Sequence, residues 1–130
     1  MAQKNLILLA EDDEDDQELI RLAFSKVTQE HDFKIVNNGQ ELLDALSRQG
    51  DMPCMIILDL NMPLLDGLQT LNEIKKEPKY TKIPIVIFTT SDSDDNKRNS
   101  YSSGAADYVI KPSTMKEFVS AAQKILTYCH

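Results

Sequence analysis

The chain has 130 residues, with 21 acidic against 14 basic side chains and a formal net charge of −7. That length carries one domain with one real core and is too short for two ordinary ones. The acidic balance argues against non-specific binding to nucleic acid or to an anionic membrane, while leaving room for a cation.

Short apolar runs alternate with longer amphipathic ones. LILLA (6–10) reads as a buried strand, and six acids, Glu11 to Asp16, follow it at once. From Asp13 to about Val27, apolar residues at Leu19, Ile20, Ala23, Phe24 and Val27 mark one face of a helix. FKIV (33–36) is a second strand closed by the turn NNG. Leu42, Leu43 and Leu46 mark a second helix stopped near Gly50. MIILDL (55–60) is a third strand that again runs into an acid, and Leu68, Leu71 and Ile74 mark a helix ending before Pro78. IPIVIFTT (83–90) is a fourth strand and ADYVI (106–110) a fifth, ending at Lys111-Pro112. Between them, 91–104 has almost no apolar content apart from Tyr101, which predicts a short, exposed and loosely held crossover helix. Met115, Phe118, Val119, Ala122, Ile125 and Leu126 form the face of a last helix that reaches almost to His130.

Five strands thus alternate with five helices. Strands without polar alternation are covered on both faces, so the sheet should be parallel. Right-handed crossovers then give an α/β, doubly wound, flavodoxin-like five-stranded parallel sheet of order 2-1-3-4-5 with five helices. The N-terminus has an apolar run too short for a signal peptide, and nothing approaches a membrane span, so a cytoplasmic protein is expected. Cys54 and Cys129 have neither CxxC nor metal-ligand spacing and are expected to be reduced, inert thiols. His31 and His130 stand alone in the sequence, so structural or surface roles are expected of both.

In such a sheet, ligands bind at the carboxyl ends of the strands, near the point where strand order reverses. Glu11 and Asp12 follow strand one, Asp59 lies at the end of strand three, Thr89 at the end of strand four and Lys111 after strand five. Clustered carboxylates repel one another, and a hard divalent cation offsets the repulsion. Mg²⁺ fits best, since it takes one or two carboxylates plus waters and a phosphate. Lys111 adds positive charge for a phosphoryl group. Asp13 to Asp16 read instead as the solvated acidic first turn of a helix.

The pieces ILLAED (7–12), LDLNMPLLDG (58–67), PIVIFTTS (84–91) and GAADYVIKP (104–112) together resemble the receiver domains of two-component response regulators, across essentially the whole chain. The stand-alone length is similar to that of the chemotaxis response regulator, and length with Thr89-Thr90-Ser91 is similar to single-domain regulators that partner bacterial phytochromes. The resemblance implies a single receiver domain over 1–130 with no effector domain, and no enzyme beyond its own phosphorylation and autodephosphorylation. It implies Asp59 as phosphoacceptor, with Lys111 and Thr89 meeting the phosphoryl group. Glu11, Asp12, Asp59 and the backbone carbonyl of Asn61 are implied to hold Mg²⁺, or Mn²⁺ in its place. Thr89 and Tyr108 match the switch pair, Pro63, Asp66 and Gly67 the loop after strand three, and Pro112 a proline that follows a cis bond.

The implied partner is a sensor histidine kinase or histidine phosphotransfer protein, because the chain has no phosphoryl-donor histidine in a helical motif and no nucleotide-binding loop. A downstream target or a second copy (a homodimer) would engage the face of helix four, strand five and helix five, with no nucleic acid and no membrane involved. The alternative is a pseudo-receiver, a binding module without phosphoryl transfer. An FMN-binding flavodoxin would need a phosphate loop where this chain has acids. An aspartate-nucleophile phosphatase would need a second acid at 61, which is Asn.

Overall fold

The computed structural model describes residues 5–49 and 52–129. Strands and helices alternate as β1 (Leu6–Ala10), α1 (Glu14–Ser25), β2 (Asp32–Val36), α2 (Gly39–Gln49), β3 (Met55–Leu58), α3 (Gly67–Lys75), β4 (Ile85–Thr89), α4 (Asp94–Ser102), β5 (Asp107–Ile110) and α5 (Met115–Leu126). Every strand pair is parallel, and the order is β2-β1-β3-β4-β5. This is the doubly wound architecture expected from the alternation of apolar runs.

The sheet divides the apolar interior into two layers, because successive side chains of a strand point to opposite faces. Leu6, Leu8 and Ala10 of β1 pack with Leu42 and Leu46 of α2 and Leu71 and Ile74 of α3. Ile7 and Leu9 pack with Ile20 and Phe24 of α1 and Phe118, Ala122 and Ile125 of α5. β1, β3 and β4 are buried along their whole lengths, which is why they read as unbroken apolar runs rather than alternating ones.

β3 and β4 are shorter than their apolar runs. β3 stops at Leu58, although the Asp59 amide still donates to the Ala10 carbonyl at 3.1 Å. β4 starts after Pro84, which has no N–H to give the ladder. A short 3-10 turn, Pro78–Tyr80, was not expected; Pro78 opens it and Tyr80 is buried.

α4 is the exposed helix anticipated, with Ser100 its buried residue. Polar contacts hold it. The Ser93 hydroxyl caps the Asn96 amide, and the Asn96 side-chain amide donates to Ser91 Oγ at 2.8 Å. The buried Asp107 carboxylate accepts from Tyr101 Oη of α4 at 3.2 Å and from Tyr128 Oη, beyond α5, at 2.9 Å. One side chain of β5 therefore ties together the helices on either side of it.

Two expectations are overturned. No peptide bond among the described residues is cis, so Lys111–Pro112 is trans. Trans is the cheaper isomer by about 0.5–1 kcal/mol, and the β5 ladder already aims the chain, the Lys111 amide donating to the Thr89 carbonyl at 2.8 Å. Cys54 and Cys129 are not separate thiols but a disulfide, with Cα atoms 4.9 Å apart across a separation of 75 residues. Packing of α5 across the sheet brings its end to the residue before β3, and sequence spacing carries no trace of that meeting. Gly50 and His130 lie outside the described residues. No helix among the described residues is long and apolar enough to cross a membrane.

Candidate functional site

β1, β3 and β5 deliver their carboxyl ends to one open crevice lined by Glu11, Asp12, Asp16, Asp59, Asn61 and Lys111, among others. Parallel register does this without local sequence help: Ala10 pairs with Leu58, and Thr89 with Ile110, so the next residues of β1, β3 and β5 emerge together. Carboxylate oxygens of Glu11, Asp12 and Asp59 lie within 4.8 Å of one another. Glu11 and Asp59 are buried and Asp12 is exposed.

Lys111 sits at the centre of the acids, its side chain 4 % exposed. Its ammonium donates to Glu11 Oε1 at 2.5 Å, Asp16 Oδ2 at 2.8 Å and Asp59 Oδ2 at 3.2 Å. One lysine cannot neutralise this many carboxylates, and the deficit falls on Glu11. Burial pushes its carboxyl up, the Lys111 hydrogen bond opposes that, the charge of Asp59 adds to it, and the result is a pKa raised to about 7. Burial alone would lower Lys111, yet its hydrogen bonds to Asp16 and Glu11 and the charges of Asp59 and Glu11 hold it above the ordinary lysine range. The ammonium therefore stays charged while the acids compete for it.

Asp16 is the site residue that sequence reasoning missed. In the sequence it reads as part of a solvated helix start, and α1 does begin there, with Asp13 as the N-cap accepting from the Asp15 and Asp16 amides. The Asp16 side chain turns instead to Lys111. Nothing local in the run of acids distinguishes Asp16 from its neighbours.

Asp59 is supported from behind. The Asn61 amide approaches its Oδ1 at 3.4 Å. Gly67, the first residue of α3, lets the helix start directly against the backbone of Asp59 and Leu60, where a Cβ would overlap the Asp59 carbonyl oxygen. Asp66 and Gln69 close a capping box there, fixing that helix start. Pro63, expected in the same loop, precedes Leu64, which is highly exposed and has a φ of 65°.

Thr89 and Tyr108 lie deeper. Thr89 is fully buried, its hydroxyl accepting from the Ser91 amide at 3.4 Å, and Thr90 lines the crevice instead. The Tyr108 ring is buried among the residues of the α2–α3 layer, and its hydroxyl donates to the Ser91 carbonyl at 2.8 Å. Both side chains therefore meet at Ser91.

The donor set of three clustered carboxylates with Asn61 beside them is all oxygen, which fits a hard divalent cation of the Mg²⁺ or Mn²⁺ type and excludes preference for a soft one.

Residues 7–123 match the family model of the response regulator receiver domain. The chain is 34 % identical over 127 residues to the probable methanogenesis regulatory protein FilR2 of Methanothrix harundinacea, covering 95 % of this chain and 82 % of that one. It is 33 % identical over 128 residues to response regulator Rcp1 of Synechocystis, covering 95 % and 87 %. The Mn²⁺-bound crystal structure of Rcp1 superposes with a TM-score of 0.85 at 33 % identity, over 95 % of this chain and 92 % of that one. The phosphorylated cyanobacterial phytochrome response regulator RcpA superposes with a TM-score of 0.88 at 30 % identity, over 96 % and 93 %. Sheet order, the acid pocket and these matches along nearly the whole chain agree: the protein belongs to the response regulator receiver domain family.

Proposed function

We propose that the protein is a phosphoryl-accepting signalling regulator in which Asp59 takes a phosphoryl group from the phosphohistidine of a sensor kinase or histidine phosphotransfer protein. The observation that carries this is the convergence of Asp59, a further carboxylate pair and Lys111 on one crevice. A carboxylate oxygen of Asp59 attacks phosphorus, the P–N bond of the donor breaks, and an acyl phosphate remains on Asp59. No proton need leave the nucleophile, because the reacting form is the carboxylate.

Glu11, Asp12, Asp59 and the Asn61 carbonyl would hold Mg²⁺. When bound, the metal neutralises charge on the transferring oxygens. Lys111, already within 3.2 Å of Asp59, supplies the second positive charge to the same oxygens. Gly67 keeps the backbone of Asp59 fixed, and the rim acids repel anions that carry no cation.

The signal passes through Ser91. Rotation of the Thr89 hydroxyl toward a phosphoryl oxygen breaks its contact with the Ser91 amide, and the Ser91 carbonyl is the acceptor for Tyr108. α4 follows at small cost, since it buries so little. One charge-assisted hydrogen bond from Thr89 supplies about 1.5–3 kcal/mol, against about 5.5 kcal/mol needed to reverse a 1:99 population. A target or a second copy bound at the α4–β5–α5 face completes the shift. Relatives linked to phytochromes make a phytochrome-type kinase the first partner to try.

Incubation with acetyl phosphate and Mg²⁺, read by intact mass, should add one phosphoryl group to the wild type and none to Asp59→Asn. A wild type that never gains the mass is instead a pseudo-receiver. Amide NMR with beryllofluoride should shift residues across 91–108 in the wild type, and shifts confined to the crevice would sink the switch.

A further inference from the structure

At the amino end of the sheet, opposite the acid crevice, three soft or borderline donors meet. His31 precedes β2, Cys54 precedes β3, and Cys129 follows α5. An imidazole nitrogen of His31 and the two sulfurs lie within 4.8 Å of one another, each residue half-buried. None takes part in the chemistry of the crevice.

The imidazole is also held. His31 Nδ1 is 2.6 Å from Thr28 Oγ1, which itself accepts from the Glu30 amide. Donation from Nδ1–H to that hydroxyl leaves the lone pair on Nε2, which is the outer-partner arrangement that orients a metal-binding histidine. The backbone on the cysteine side is equally anchored: the Cys54 amide donates to the Leu6 carbonyl at 2.8 Å and the Cys129 amide to the Leu126 carbonyl at 3.0 Å.

We propose that the reduced protein binds one Zn²⁺ through His31, Cys54 and Cys129, with water as the fourth ligand, and that the Cys54–Cys129 disulfide is the metal-free, oxidised state of the same site. Two thiolates balance the charge of the cation, and sulfur with imidazole selects zinc over the hard cations suited to the crevice. Zn–S bonds of about 2.3 Å in a tetrahedron put the sulfurs about 3.8 Å apart, so rotation about the cysteine side chains suffices to pass from disulfide to metal site. In reduction and loading, the disulfide takes two electrons from a dithiol reductant, which becomes a disulfide, and the two thiols release two protons as zinc binds. In the reverse direction a disulfide oxidant such as oxidised glutathione accepts two electrons, takes up two protons from solvent and is released as two thiols, while zinc leaves as the aqua ion.

The test is a Co²⁺ titration of the anaerobically reduced full chain, with excess Mg²⁺ present to fill the acid crevice. One equivalent should bind with a thiolate-to-metal charge-transfer band, and Zn²⁺ should abolish the band. The oxidised wild type, Cys54→Ser and Cys129→Ser should show no such band. His31→Ala should weaken binding more than Thr28→Val, which should itself cost about 10–100-fold. Oxidised glutathione added to the zinc form should release one equivalent of metal to a chromophoric chelator. A reduced wild type without the band overturns the proposal, as does a His31→Ala variant whose affinity is unchanged. Using both single cysteine variants keeps the outcome readable if one of them fails to fold.

Discussion

Replacing Lys111 with Met tests the electrostatics of the crevice most directly. The substitution keeps most of the side-chain volume but removes the cation from Glu11, Asp16 and Asp59 at once. Removing one partner of a buried ion pair costs about 3–5 kcal/mol. The lower end applies here, because the Asp16 side chain is 26 % exposed and water reaches the crevice. The penalty should also depend on pH. The folded-state pKa of Glu11, raised to about 7, lies above its unfolded value, so its contribution is fully present below the unfolded pKa and is lost as pH rises through about 7. Without Lys111 the folded pKa climbs further, so Glu11 stays protonated to higher pH, but at alkaline pH its charge is uncompensated. The variant should therefore lose about 3 kcal/mol near pH 8.5 and only about 1 kcal/mol near pH 5.5. Urea unfolding of the metal-free protein reads this as a midpoint lowered by about 1.5 M at the higher pH and by about 0.5 M at the lower. A penalty flat in pH, or largest under acid conditions, would refute the idea that Lys111 holds down an acid surplus.

Asp59→Asn should stabilise the metal-free protein by about 1 kcal/mol, since it lowers repulsion on Glu11; a lower urea midpoint than wild type would count against that. Millimolar Mg²⁺ should raise the Tm of the wild type and leave Asp12→Ala nearly unmoved, because a native-state ligand stabilises by RT ln(1 + [L]/Kd); an equal shift in both proteins removes Asp12 from the metal site. Gly67→Ala should destabilise by about 2 kcal/mol or more by driving α3 away from Asp59, and should slow phosphorylation by acetyl phosphate; wild-type stability would mean the helix start can move freely.

The alternation of elements was legible because three strands are buried on both faces and the helices on one. The crevice was legible because β1, β3 and β5 carry polar groups just where their apolar runs end. What escaped has a common physical cause, namely contacts made only by tertiary packing. Asp16 and Lys111 are 95 residues apart, and an acid in a first helical turn already has a sufficient local explanation. Cys54 and Cys129 meet only because α5 lies across the start of β3. Thr89 stands at a strand end in the sequence, but only the fold shows its hydroxyl buried against the Ser91 amide while Thr90 lines the crevice.

The partition of the interior by the sheet has an evolutionary side. Ile56 and Ile57 are consecutive in the chain, but Ile56 shares its layer with Tyr108 and Ile57 shares its own with Phe118. Volume changes couple within a packed neighbourhood and add when no partner is shared. Substitutions that accumulate beneath α1 and α5 can therefore drift, compensate one another and retune melting behaviour while the surroundings of Tyr108 keep their shape. The two sides of one small protein are free to accept mutations at different rates, with the backbone of a single sheet as the boundary between them.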